Sequence, residues 1–572
     1  MAHRPGDVVP VLQAVEEATG AGRWAAGFVA YEAANGLDPT LATRAAIPGE
    51  AFAELPLAWF CLAGGPEAAA GLWAAPENEG PCTVGPWEPD WDTAGYGGKL
   101  QRIRERLAAG ETYQCNLTVR LRSRADGDLL RLYRDLALAQ RGAHCAYLDT
   151  GRFVIASASP ELFFDWTGDR LTTRPMKGTA PRGRWPAEDA AQAARLAASA
   201  KERAENLMIV DLLRNDLGKL AEVGSVEVPR LFEVERYETL WQLTSTVTAR
   251  PRSGTGLTDV FRALFPSGSV TGAPKRSTMA LIAELEESRR GVYCGAVGMV
   301  APPGAPFRAR FNVAIRTVVV DRATGDAVYG TGGGITWDST AGSEHAELLT
   351  KAAILRGRRE ECSLLETMGY RPASGVRNLE RHLERLGASA QYFGFPFDEA
   401  RVCSTLGASL AGAGAACRVR LLVSPSGVPN VELAAMPARR RAPVVLAVDG
   451  DPVDSSEVWL YHKTTRRSTY EARAARHPGV DDVLLVNERG EVTESTIASV
   501  AVRLEGRWWT PPIDVGCLPG VERARLIESG RLAERVITVH DLRAAEGIAL
   551  VSSLRGWRAA VLEGVSPGAA AR

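Results

Sequence analysis

The chain has 572 residues, 67 Lys and Arg against 68 Asp and Glu, and a net charge of −1. That length holds two to four domains with an ample core, and the balanced charge supplies no basic arm for nucleic acid or a membrane surface. Its nine Cys stand singly, with no Cys-x-x-Cys and no His cluster, which indicates neither zinc nor a disulfide framework. Met1–Pro10 lacks an apolar signal core and no apolar run approaches ~18 residues. The expectation is a soluble cytoplasmic enzyme with no nucleic-acid and no membrane partner.

In chain order, residues 1 to about 95 read as strands and loops, with apolar runs at Trp24–Ala30 and Pro56–Leu62. A helix is predicted over Asp92–Ala109, strands over Thr112–Leu121 and Ala143–Ile155, and a helix between them near Asp128–Arg141. A loop-rich stretch, an Ala-rich helix after Pro186 and a long helix over Lys201–Asp216 follow. Leu240–Ala249, Gly295–Val300 and Phe311–Val320 read as strands, and Ser343–Arg359 as a helix. The pattern then restarts, with a strand at Ser363–Thr367, a helix at Leu379–Phe393, and strands at Arg418–Val423 and Pro443–Val448. Arg439–Arg441, the longest basic cluster, reads as a solvated loop.

The Lys201–Asp216 helix is apolar on most of its surface, and at about 100° per residue Glu202, Glu205, Ile209, Leu212 and Asp216 share one stripe. Two carboxylates one turn apart repel, and on a buried helix a hard divalent cation such as Mg²⁺ would relieve them. Ser199 and Glu202 also fit a capping box, so the carboxylate has a plain structural use as well. Glu344 and Glu347 repeat the spacing, with Lys351 a turn beyond, which also suits a solvated helix face. The Gly-rich loop Phe265–Lys275, with Pro274 placed to open a helix, offers backbone N–H groups to an anion or is simply a tight turn. Arg316, ending a strand, suits a bidentate carboxylate contact or an ordinary ion pair.

Together Ser159-Pro160-Glu161, Pro175–Thr179, Glu202-x-x-Glu205-Asn206, Arg214-Asn215-Asp216, the Phe265 loop, Asn312–Thr317, Gly332–Gly334 and Glu344-x-x-Glu347-x-x-x-Lys351 resemble the chorismate-utilising enzymes, a group that includes anthranilate synthase and aminodeoxychorismate synthase component I. The resemblance spans roughly residues 20 to 357. It implies that Glu202, Glu205, Glu344 and Glu347 face one Mg²⁺. It also implies that Thr271, Tyr293, Arg316, the Gly333 and Gly334 amides and Lys351 bind chorismate. His345 and Ala341 depart from the common Tyr and Pro. In Pro175-Met176-Lys177-Gly178-Thr179 the lysine resembles the aminodeoxychorismate synthases, where anthranilate synthases carry a small residue. Ammonia must replace the C4 hydroxyl of chorismate with retention, which one displacement cannot give, and a desolvated lysine can act as a covalent nucleophile. Lys177 is therefore expected to add at C2 while Glu161 protonates the leaving hydroxyl. No Gly-x-Cys-x-Gly segment is present, so ammonia is expected from a separate glutamine amidotransferase subunit.

In the second half, Arg381-His382-Leu383-Glu384-Arg385, Tyr461-His462-Lys463-Thr464, Glu491–Ser499, Leu518-Pro519-Gly520 and Ser552-Ser553-Leu554-Arg555-Gly556 resemble the class IV pyridoxal-phosphate enzymes, which include amino-acid aminotransferases and aminodeoxychorismate lyase. This implies Lys463 as Schiff-base lysine and proton shuttle, Glu494 at the pyridinium nitrogen, and Arg381, Thr496 and Ser553 at the phosphate. Ser499 replaces a common Asn. A homodimer through this unit is the assembly the resemblance allows. The fold expected is α/β (α+β). A chorismate-binding-type β-sandwich with helices over residues 1–360 precedes a two-lobed class IV unit over 361–572, with a small lobe to about 450 and a large lobe from about 456. The expected function is bifunctional p-aminobenzoate synthesis. The alternatives are a chorismate-aminating unit fused to a class IV amino-acid transaminase, and a non-catalytic chorismate-binding scaffold.

Overall fold

Asp92 opens a helix at Thr93–Ala108 by accepting the Gly95 N–H. The computed structural model that shows this describes residues 1–67, 80–140, 142–356, 362–438 and 442–564; the Arg439–Arg441 run and the final residues of the helix expected to reach Arg359 lie outside them. By packing, Met1–Arg182 and Gln192–Arg359 form one unit, and Gly183–Ala191 groups with Glu360–Arg572 in a second. The fold is mixed α/β in both.

Among its described residues the first unit contains two antiparallel sheets. A nine-stranded sheet runs Met176–Pro181, Leu240–Ala249, Arg170–Arg174, Leu162–Thr167, Ala309–Val313, Ala296–Val300, Trp24–Val29, Ala58–Ala63, with Glu227–Arg236 also on Leu240–Ala249. An eight-stranded sheet is built on the long strand Gln114–Gly127, paired along ten residues with Asp326–Ile335. An aromatic cluster of Phe163, Phe164, Phe261, Phe265 and Phe311 fills the core beside the first sheet.

Four expectations are corrected here. Val8–Gly20 is a helix, burying Val8, Leu12, Val15 and Thr19. Ala143–Ile155 is two strands, His144–Asp149 and Phe153–Ser159, folded back by a turn in which Gly151 takes a φ of 92°. Phe311–Val320 is also two strands: Ala309–Val313 belongs to the nine-stranded sheet and Thr317–Asp321 to the eight-stranded one. Arg316 stands at the crossing with φ 52°, a left-handed conformation that costs an L-residue energy. Pro274 precedes the helix Lys275–Leu285 as its N-cap, one residue earlier than expected.

The second unit has a four-stranded sheet, Gly375–Val376, Leu364–Arg371, Cys417–Val423, Pro429–Ala435, and an eight-stranded mixed sheet whose first strands are Val492–Ser495, Asp482–Val486, Val444–Val448 and Gly556–Leu562. The helix Leu379–Phe393 packs on the smaller sheet through His382, Leu383, Leu386, Ala390 and Phe393. The Gly183–Ala191 segment adds to this unit: Trp185 stacks on Tyr461 at 5.1 Å, and Arg184 donates to the Tyr461 hydroxyl at 3.0 Å and the Ser455 carbonyl at 3.2 Å. Among the described residues no helix is long and apolar enough to cross a membrane.

Candidate functional site

The helix Ala200–Gly218 starts at Ser199, whose hydroxyl accepts from the Glu202 N–H. The cap uses only the serine, and the Glu202 carboxylate lines a cavity. One turn on, buried Asn206 donates to the carbonyls of Lys177 at 3.2 Å and Leu243 at 3.3 Å and accepts from Ser245 at 2.6 Å. That clamp holds an irregular strand. The pairing of Met176–Pro181 with Leu240–Ala249 shifts register between Met176 and Thr179, a bulge of the kind that re-aims a side chain. Gly178 takes a φ of 94°, and a Cβ there would lie 3.1 Å from both the Glu202 and Leu243 Cβ atoms. Gln242 donates to the Gly178 carbonyl at 2.7 Å.

The bulge puts Lys177 into the cavity with Glu161, Tyr293, Arg316 and Lys351. Glu202, Glu205, Glu344 and Glu347 line the same cavity. Gly334 borders it so closely that a Cβ would lie 2.6 Å from the Lys177 Nζ, and a Cβ on Gly333 would lie 3.0 Å from the Glu344 carboxylate. Gly330 and Gly332 make room for the Tyr293 ring. Thr271 is a correction: its buried hydroxyl donates to the Ser267 carbonyl at 3.0 Å, while its neighbours Ser269 and Val270 line the cavity. Arg316 donates to Gln140.

The electrostatics suit a nucleophile beside an acid. Burial lowers the Lys177 amine below the ordinary lysine range and nearby Lys351 adds to this, against Glu205, Glu347 and Glu161. Burial pushes the Glu161 carboxyl up to about 7, despite the Ser269 hydroxyl at 2.6 Å and Lys177. Burial also raises Glu202, Glu205 and Glu344, and Glu347 joins in raising each of them. Burial would raise Glu347 too, but Lys351, at 2.8 Å, holds it below its usual value. Lys201 approaches Glu205 at 3.9 Å. Among the described residues no three His, Cys, Asp or Glu converge closely enough to form a metal shell. The donors nevertheless have the hard-oxygen chemistry and crowded negative charge that a divalent cation relieves.

In the second unit Lys463, Glu494, Thr496 and Ser553 line one cavity. Burial lowers the Lys463 amine to about 8, with Arg385 contributing in the same direction. Burial raises the Glu494 carboxyl to about 7, against the Tyr470 hydroxyl that donates to it at 2.9 Å. The Thr496 hydroxyl donates to Asp482 at 2.5 Å. Ser553 Oγ lies 2.8 Å from His382 Nε2, and His382 Nδ1 lies 2.6 Å from Glu366. Arg381 is a second correction. It is paired with Glu528 on an exposed face, whereas Arg385 of the same motif lines the cavity. Arg385 also binds Glu366 at 2.6 Å and the Pro519 carbonyl at 3.0 Å. Burial would raise Glu366, but Arg385 and His382 hold it at about 2. The seat is completed by Gly520, the N-cap of the helix Val521–Glu528, so Arg385, Ser553 and a helix N-terminus form a place for a phosphate. A half-buried lysine, a buried acid and an anion seat together fit pyridoxal phosphate.

Residues 7–357 match the family model described as chorismate binding enzyme, and residues 363–561 that described as amino-transferase class IV. The chain is 44% identical over 302 residues to an aminodeoxychorismate synthase from Streptomyces griseus, covering 52% of this chain and 41% of the relative. It is 40% identical over 265 residues to aminodeoxychorismate synthase component 1 of Escherichia coli, covering 46% and 57%. The chain spans about half the length of the curated relatives it matches. Anthranilate synthase component I from Streptococcus pneumoniae superposes with a TM-score of 0.52 at 27% identity, covering 60% of this chain and 85% of that one.

Because Gly178 sits in the left-handed region against Leu243 and Glu202, Gly178→Ala is expected to cost the first unit about 1–3 kcal/mol in chemical denaturation. Wild-type stability in that variant would show that the bulge relaxes freely.

Proposed function

Because the chain belongs to the chorismate binding enzymes and carries a class IV amino-transferase unit behind that match, we propose that it makes p-aminobenzoate in two steps. The first unit replaces the C4 hydroxyl of chorismate by an amino group, and the second eliminates pyruvate from the 4-amino-4-deoxychorismate so formed. The observation that carries this is the pairing of two depressed lysine amines with two raised carboxyls, Lys177 with Glu161 and Lys463 with Glu494, in separate cavities.

In the first unit, neutral Lys177 attacks C2 of chorismate, the ring double bonds shift, and the C4–O bond breaks as Glu161 donates its proton to the departing hydroxyl. A carboxyl near 7 is protonated often enough at neutral pH for that donation. Ammonia then adds at the trigonal C4, the ring double bonds shift back and the C2–N bond to Lys177 breaks, so two successive allylic displacements can return C4 with its configuration retained. Arg316, Tyr293, Lys351 and the Gly333–Gly334 backbone orient the substrate carboxylates. Glu202, Glu205, Glu344 and Glu347 would hold Mg²⁺, which supplies charge neutralisation for a ring carboxylate. Ammonia comes from a separate glutamine amidotransferase subunit, a reading supported by the relative named as a component 1.

In the second unit, Lys463 would anchor pyridoxal phosphate, with Glu494 at the pyridine nitrogen and Arg385, Ser553 and the backbone at Gly520–Val521 around the phosphate. The cofactor supplies an electron sink for carbanion chemistry when bound. Lys463 removes the C4 proton of the substrate, and loss of pyruvate leaves an aromatic ring. Aromatisation drives this step, and the fusion to an aminating unit favours it over amino-acid transamination.

With chorismate, Mg²⁺, ammonia and pyridoxal phosphate, the protein is expected to release p-aminobenzoate and pyruvate with no 2-oxo acid acceptor. Lys177→Ala should abolish amination yet still process supplied aminodeoxychorismate, whereas Lys463→Ala should accumulate that intermediate; unchanged p-aminobenzoate output in either variant contradicts the assignment. Arg385→Ala should weaken cofactor binding at least about tenfold while Arg381→Ala leaves it unchanged, as equilibrium dialysis would measure; equal effects would remove the phosphate seat. A neutral amine is needed to capture the cofactor, so loading of the apoprotein should accelerate as pH rises through about 8. A flat loading profile would contradict the depressed Lys463 amine.

A further inference from the structure

The cavity around Lys463 carries a guanidinium that the cofactor seat does not account for. Of the arginines lining it, Arg385 is neutralised by Glu366 at 2.6 Å and Arg420 by Glu432 at 3.0 Å. Arg467 donates to the Thr496 carbonyl, Arg555 is exposed to solvent, and Arg558, two of whose nitrogens are buried without a partner, lies in the attractive field of Asp482 and Asp481. Arg418 has no such compensation. Its Nε is buried without an acceptor, and among the described residues nothing forms an ion pair or hydrogen bond with its side chain. A buried charged donor left unpaired is unfavourable, and such a group calls for an acceptor that arrives with a ligand.

The strand geometry aims it inward. Arg418 stands opposite Gly369 and Arg420 opposite Thr367 in the four-stranded sheet, so Arg418, Arg420, Thr367 and Leu365 share one face. Arg420, Thr367 and Leu365 line the cavity beside Arg418. Glu494 and Ser553 come from the other sheet side of the unit, at Val492–Ser495 and just beyond Gly547–Ser552. Arg418 therefore forms part of the wall facing the reacting groups.

We propose that Arg418 binds a carboxylate of the second unit's substrate that is remote from the reacting amine, and so selects a ring dicarboxylate over a simple α-amino acid. This rests on the lyase reading above. In that substrate the carbon bearing the amine carries no carboxylate; one carboxylate sits across the ring and the other on the enolpyruvyl arm. Both need a cation away from Lys463, and Arg418 offers one whose Nε is buried and against which no carboxylate of the described residues is set.

The test uses the full-length, cofactor-loaded protein with supplied aminodeoxychorismate, comparing wild type, Arg418→Gln and Arg418→Lys. Arg418→Gln is expected to raise KM roughly ten- to a hundredfold, the effect of losing a charged hydrogen bond, with unchanged cofactor affinity and absorbance; Arg418→Lys should recover part of it. Chorismate, which keeps both carboxylates but has a hydroxyl in place of the amine, should inhibit the wild-type pyruvate release competitively and the Arg418→Gln variant at least tenfold more weakly. Unchanged KM and inhibition constant overturn the proposal, and so does a loss of cofactor affinity, which would give Arg418 to the phosphate instead. A wild-type protein that releases no pyruvate from the supplied intermediate, yet transfers the amino group of an α-amino acid, sinks the lyase reading itself.

Discussion

A lysine amine drawn out of water is the constraint on which the first unit turns. Lys177 could not reach its cavity from a regular strand, whose side chains alternate between faces. The register shift at Lys177–Gly178 breaks that alternation, and the Asn206 and Gln242 amides supply the hydrogen bonds that the broken ladder no longer makes. Burial then lowers the amine and raises Glu161, moving a base and an acid toward neutrality from opposite ends of the scale. The four glutamates make the remaining charge balance delicate, with Lys351 and Lys201 set against two of them.

The second unit solves a related problem differently. There the buried polar groups are linked, with Glu366 holding both His382 and Arg385 and His382 reaching Ser553. A connected network of this sort fixes side-chain positions more firmly than isolated contacts, which suits a seat for a rigid aromatic cofactor. The lysine segment is braced as well: Tyr461, two residues before Lys463, stacks on the Trp185 ring, and the Arg184 guanidinium lies against both rings.

Much of the site was legible in the sequence because its residues obey local periodicity. The i, i+3 glutamates on two helices and the Leu379–Phe393 helix follow from that periodicity, whereas the Lys177 and Lys463 segments stood out only by their resemblance to known families. The misreadings have physical causes. Val8–Gly20 hid its helix because Pro10 and the flanking glycines look like loop, although proline is tolerated in a first turn. Phe311–Val320 reads as one continuous strand because nearly all of it is buried in one sheet or the other, so nothing in the pattern marks the change of sheet at Arg316. Arg381 and Arg385 share a motif, yet about 100° per residue places Arg381 about 100° from buried His382 and Arg385 only about 60° away, which is why the latter turns inward. Ser269 and Arg418 gave no sequence signal, and Asn206 gave none for its clamp although it stands in a quoted motif, because these roles depend on neighbours distant in the chain.

The most direct measurement is intact-protein and peptide mass spectrometry of the full chain incubated with chorismate and Mg²⁺ but no ammonia. The account predicts a gain equal to chorismate less one water, located on the peptide containing Lys177 and lost when ammonia is added. A chain that aminates chorismate while that peptide never carries the adduct, under rapid quenching as well as at equilibrium, would contradict covalent catalysis by this amine.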